Sequence, residues 1–109
     1  MTAPRFGSMA AGLAAAPGGE SFELLAAMSG ARVERIASRA VVAGDWYDQP
    51  QAEFVLLVAG MARLGFANGD EYLLGPGDWA LLPAHCRHQV LWTDPARETL
   101  WLAVHLPPD

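Results

Sequence analysis

At 109 residues, 52% hydrophobic and 17% charged, the chain is long enough for one hydrophobic core and too apolar for the disordered class. Its net charge of −5, with no lysine and seven arginines dispersed along the sequence, makes nucleic acid and anionic membrane surfaces poor partners. The longest strongly apolar run, Phe54 to Met61, is too short to span a bilayer, and the lone Cys86 can close no intrachain disulfide, so a soluble cytoplasmic protein is expected.

Residues 1–19 are rich in Ala and Gly, contain Pro4 and Pro17, and show no apolar period. A mobile arm is expected there, ahead of a single domain over residues 20–109. Arg5 before an Ala-rich stretch resembles the start of a signal peptide, but Gly12 and the small side chains give it a feeble apolar centre. Ser21 is placed to cap a short helix running to Met28, with Glu23 in its first turn and Gly30 as its stop. From Arg32 the period changes to two: Glu34, Ile36, Ser38, Ala40 and Val42 fall on one side and Val33, Arg35, Ala37, Arg39 and Val41 on the other.

Beyond Gly44 the turn signals become regular. Asn68-Gly69 between two extended segments predicts a hairpin with a type I′ turn, which needs positive φ at both central residues. Gly75-Pro76-Gly77-Asp78 predicts another turn, Pro83 ends a strand over Trp79 to Leu82, and Asp94-Pro95 separates strands over 88–93 and 98–106. In the last of these Leu100, Leu102, Val104 and Leu106 share one face, and Trp101, Ala103 and His105 share the other. Which face is inside stays open, and Trp101 and His105 are candidates for a pocket or an interface. Many short strands at this spacing predict an all-β sandwich or barrel.

Two stretches concentrate the residues that carry chemistry. The first runs from Gly44 through Trp46, Tyr47, Asp48 and Gln49 to Glu53 and Gly60; the second runs from Gly77 through Pro83 and His85 to His88. Together they resemble the paired motifs of the cupin family. The resemblance covers about residues 31–106 and implies a jelly-roll β-barrel in which both motifs turn side chains toward one pocket that holds a metal or a small molecule.

The family's first motif places His-x-His before its Glu, and no histidine stands in either place here. A gap of four residues before Glu53 puts Trp46 and Asp48 in those slots; a gap of three puts Tyr47 and Gln49 there. Asp48, being anionic, is the better substitute ligand, while Tyr47 could coordinate only as phenolate. In the second motif Gly77, Pro83 and His88 match, whereas His85 takes the second glycine's place and Trp92 that of the asparagine.

The resemblance therefore implies a weakly held divalent metal ion on Asp48, Glu53 and His88, with Gln49, Tyr47 and His85 around the pocket. A carboxylate at the head of the apolar run after Glu53 needs a partner or exposure; metal, a hydrogen bond to His88 and the barrel rim all satisfy it. Cys86 reads as a small turn or barrel-mouth residue. Two functions follow as expectations. One is a metal-dependent enzyme acting on a small molecule; the other is a non-catalytic small-molecule-binding or regulatory barrel without metal. A homodimer is expected in either case, because exposed strand faces are hard to cover in so small a chain.

Overall fold

The computed structural model describes residues 3–108 as nine β-strands. They are β1 (Gly19–Met28), β2 (Ala31–Arg39), β3 (Trp46–Tyr47), β4 (Glu53–Ala59), β5 (Ala62–Phe66), β6 (Glu71–Leu74), β7 (Trp79–Leu82), β8 (His88–Thr93) and β9 (Thr99–His105). One sheet has the order β1-β2-β9-β4-β7 and the other β3-β8-β5-β6, and every pairing is antiparallel. This is the expected all-β jelly roll.

The helix expected over Ser21–Met28 is a strand instead. Its Ala, Leu, Glu and Met residues favour a helix only weakly, and pairing along the whole of β2 outweighs that preference. The residue read as a helix stop, Gly30, sits with Ser29 in the two-residue turn joining β1 to β2. Both have positive φ, 81° and 51°, the signature of a type I′ turn.

The hairpin at Asn68-Gly69 forms where expected, joining β5 to β6, but with a different turn. Only Gly69 has positive φ there. Its N–H donates to the Phe66 carbonyl, and the Phe66 N–H donates to the Asp70 carbonyl. This is a type I turn closed by a left-handed glycine, with the Asn68 side-chain oxygen accepting from the Asp70 N–H. Gly60, between β4 and β5, has φ of 92°, and a Cβ on it would lie 2.6 Å from the Thr99 Cα, so both backbone and space require glycine.

The core lies between the sheets, where Ile36, Val55, Leu57, Leu64, Val90, Trp101 and Ala103 are buried together. In β9 the inner face is thus Thr99, Trp101, Ala103 and His105. On the outer face of the five-stranded sheet two apolar rows run across the strands, Val104–Phe54–Leu81 and Leu102–Leu56–Trp79. Phe54 stacks on Trp79, and Trp79 and Leu81 remain exposed.

The segment ahead of β1 is bonded to the barrel. The first two residues of the expected arm, Met1 and Thr2, lie outside the described residues. Arg35, buried on the outer side of β2, donates to the Met9 and Leu13 carbonyls at 2.9 Å each and to Glu23 at 3.1 Å. The Ala15 N–H donates to Glu98. Arg35→Ala should therefore cost about 2 kcal/mol, since it leaves the Met9 carbonyl without its donor, removes one donor each from the Leu13 carbonyl and Glu23, and breaks the ion pair to Glu23. Thermal unfolding should show the loss, and limited proteolysis should cut residues 3–16 faster in the variant than in the wild type.

Candidate functional site

The pairing register lines up the polar residues of the inner face. Arg32 lies opposite His105, which lies opposite Glu53, which in turn lies opposite Leu82. The next inward row is Glu34–Ala103–Val55–Ala80. The two alanines are too small to fill the barrel at that level. Between the sheets lies a cavity of about 330 Å³, walled by Ile36, Val55, Leu64, Val90 and Trp101, with Glu53, His88 and His105 as its polar floor. That volume is at the small end of ligand pockets.

Glu53 is buried and sits between two imidazoles. Its Oε1 is 3.9 Å from His88 Nε2 and its Oε2 is 3.7 Å from His105 Nε2. Burial is the main force on its carboxyl, pushing the pKa above the ordinary carboxylate value; the nearby imidazoles pull the other way without reversing it. The His88 Nδ1 lies 2.8 Å from the Cys86 carbonyl. A carbonyl can only accept, so His88 carries a proton on Nδ1, and in the neutral imidazole the Nε2 lone pair faces Glu53. His105 is turned the other way. Its Nε2 bonds the Glu34 carboxylate, and its Nδ1 is buried with no partner among the described residues.

At the other side of the cavity Tyr47 donates its hydroxyl to Glu20 at 3.1 Å. Glu20 also accepts from Ser38, which accepts from the Trp101 indole N–H. Burial, and then the Glu20 charge, push the Tyr47 pKa above its ordinary value, so the phenol stays protonated and serves as a donor. Tyr47 and His88 are register partners with ring centroids 5.6 Å apart.

Of the six residues singled out from the sequence, Tyr47, Gln49, Glu53 and His88 line the cavity. Asp48 and His85 do not. They bond each other at 2.8 Å, both largely exposed, while the His85 N–H donates to the Gln49 carbonyl. β3 ends at Tyr47, yet the alternation of its side chains carries on for two residues, with Tyr47 and Gln49 lining the cavity and Asp48 exposed between them. The three-residue gap before Glu53 thus describes the chain, and Asp48 does not join Glu53 and His88. Trp46 also faces out, with the Arg87 guanidinium 4.9 Å from its ring centroid. His85 stands in a glycine position of the motif and adopts φ of 59°, the left-handed geometry a glycine would supply.

Glu34 and His105 are the site residues that the motifs do not mark. The only sequence signal for them was their place on alternating strand faces, and their meeting is a product of β2–β9 pairing. Among the described residues no three His, Cys, Asp or Glu side chains are placed to hold a metal ion together. The donor chemistry explains why: the two positions that supply imidazoles in the motif hold a protonated phenol and a neutral amide, and the His105 Nε2 is taken by Glu34. The residues as arranged do not fit the family's metal centre.

Solved structures place this barrel. A protein from Ralstonia eutropha JMP134, provisionally named a mannose-6-phosphate isomerase, is 39% identical and superposes with a TM-score of 0.86 over 95% of this chain and 99% of its own. A cupin superfamily protein from Desulfitobacterium hafniense DCB-2 is 17% identical, with a TM-score of 0.71 over 85% of this chain and 82% of its own. KdgF from a Halomonas species is 18% identical, with a TM-score of 0.72 over 86% and 84%. No family model matches the sequence, and no curated protein does. The chain belongs to the cupin superfamily.

The raised pKa of Glu53 has a sign that can be measured. A carboxyl whose folded pKa lies above its unfolded one binds more protons in the native state, so stability falls as pH rises through that interval. Glu53→Gln removes the titration. The wild type should lose stability relative to Glu53→Gln as pH climbs from the usual carboxylate range toward neutrality, and the gap should narrow in acid. Thermal melts of both proteins across that range check it.

Proposed function

We propose that this cupin is a small-molecule-binding barrel whose pocket floor is a carboxyl–imidazole cluster in place of a metal centre. The observation that carries this reading is Glu53 buried between His88 and His105, in a cavity where Tyr47 and Gln49 occupy the places of the missing histidine pair. The floor offers a lone pair on His88 Nε2, a carboxyl at Glu53 and an amide at Gln49, against apolar walls. That mix suits a molecule carrying several hydroxyl groups, each able to donate and accept.

Metal loading tests the reading against its rival. After incubation with Mn²⁺ or Zn²⁺ and desalting, elemental analysis should find well below one equivalent bound, and chelator should leave the melting temperature unchanged. One equivalent retained by the wild type and lost in His88→Ala would overturn the proposal and restore a metal centre on this floor.

The apolar rows Val104–Phe54–Leu81 and Leu102–Leu56–Trp79 support pairing of two copies through the outer face of the five-stranded sheet. Exposed side chains as large as Trp79 and Leu81, side by side, gain most from burial against a like surface. Light scattering at micromolar concentration should report a dimer, and Trp79→Glu should shift it to monomer without loss of fold. A monomeric wild type at that concentration would contradict the pairing.

A further inference from the structure

One arginine, Arg32, lines the cavity, alongside the carboxyl residues Glu20, Glu34 and Glu53. It lies opposite His105 in the register and on the same inner face as Glu53, and its side chain is exposed. Most arginines of the chain have partners. Arg5 donates to the Leu25 carbonyl, Arg35 to Glu23, Arg63 and Arg97 pair with Glu71 and Asp94, and Arg87 lies over Trp46. Arg32 and Arg39 have no hydrogen bond or ion pair from their side chains to the described residues, and of these two only Arg32 lines the cavity.

None of the three acidic residues of the cavity pairs with Arg32, and Glu53 has the imidazoles of His88 and His105 as its neighbours. Glu34 is bonded to His105, and Glu20 accepts from Ser38 and Tyr47. Glu20 is also remote. It pairs with Ser38, six residues along β2 from Arg32, which is roughly 20 Å at the rise of an extended strand.

We infer that the ligand is a hydroxylated small molecule with an oxyanion at one end, which Arg32 holds at the rim while its hydroxyls reach the floor at Glu53, His88 and Gln49. This rests on the pocket being a small-molecule site. A planar guanidinium donates two parallel N–H bonds to a carboxylate or to a phosphate, so the anchoring chemistry is the same for a sugar acid and for a sugar phosphate. The two differ in size and charge. A cavity of about 330 Å³ restricts either to about the dimensions of a single sugar.

The experiment is calorimetric titration with four probes: a neutral hexose, the corresponding hexuronate, the hexose 6-phosphate and inorganic phosphate. These are run on the wild type, Arg32→Gln, Arg32→Lys and His88→Ala. At least one of the two anionic sugars should bind roughly tenfold or more tightly than the neutral hexose, the scale expected of a charge-assisted hydrogen bond. Arg32→Gln should erase that advantage and Arg32→Lys should restore part of it. The preferred anion, uronate or phosphate, identifies the source of the oxyanion.

Arg32→Gln should melt with the wild type, because the side chain is exposed and has no partner to lose. His88→Ala should weaken every sugar alike. Three results would overturn the inference: a neutral hexose that binds as well as its acids, an anionic sugar whose affinity ignores Arg32→Gln, or no binding of either anionic sugar at millimolar concentration. In the first two cases, sensitivity to His88→Ala keeps the pocket reading standing. Binding indifferent to both positions would remove that reading as well. Inorganic phosphate binding as tightly as the hexose 6-phosphate would show an anion patch without a sugar site, and that too would overturn the inference.

Discussion

The pocket is organised around a carboxyl group taken out of water. Glu53 heads a strand whose following residues are all apolar, and it can be buried there only because two imidazoles flank it and because its neutral form is available. Its position fixes the others. Through β4–β9 pairing it sets His105 beside it, through β9–β2 pairing His105 sets Arg32 at the rim, and across the barrel His88 faces it from the second sheet. A one-residue slip in either pairing would turn the whole set outward.

The two histidines are held in opposite senses, and that gives the floor its polarity. His88 spends its Nδ1 proton on the Cys86 carbonyl, so its free nitrogen is an acceptor. His105 directs Nε2 at Glu34, so its bond is internal to the protein. The contrast explains why a barrel with a buried carboxyl and two nearby imidazoles does not present them as a set of converging lone pairs. The Nε2 of His105 is committed to Glu34, and His88 Nε2 remains free to meet a ligand.

Much of this was legible in the sequence. The turn residues placed five of the strands, β5 to β9, and Glu53, Gly60, Gly77, Pro83 and His88 carried the cupin resemblance. The N-terminal hairpin was not legible, because Ser21 to Met28 is built from residues whose local preference is helical and whose strand state depends on pairing with β2. Which of Asp48 and Gln49 faces inward could not be read, since alternation gives two faces and leaves the choice to the register. His105 was a candidate for a pocket or an interface on a strand face whose direction stayed open. At Gly30 the sequence signalled an end of structure but not the hairpin turn it forms with Ser29, and at Asn68-Gly69 it signalled the hairpin but not the turn type.

The central claim is that Glu53, His88 and His105 form a closed protein cluster instead of a metal centre. Nitrogen-15 NMR of the three imidazoles, recorded with and without substoichiometric Mn²⁺, tests it most directly. Expected are an Nδ1–H tautomer for His88, an Nε2 proton on His105 and signals from both that persist without paramagnetic broadening. Selective loss of the His88 and His105 signals as Mn²⁺ is added, with exposed His85 unaffected, would contradict it.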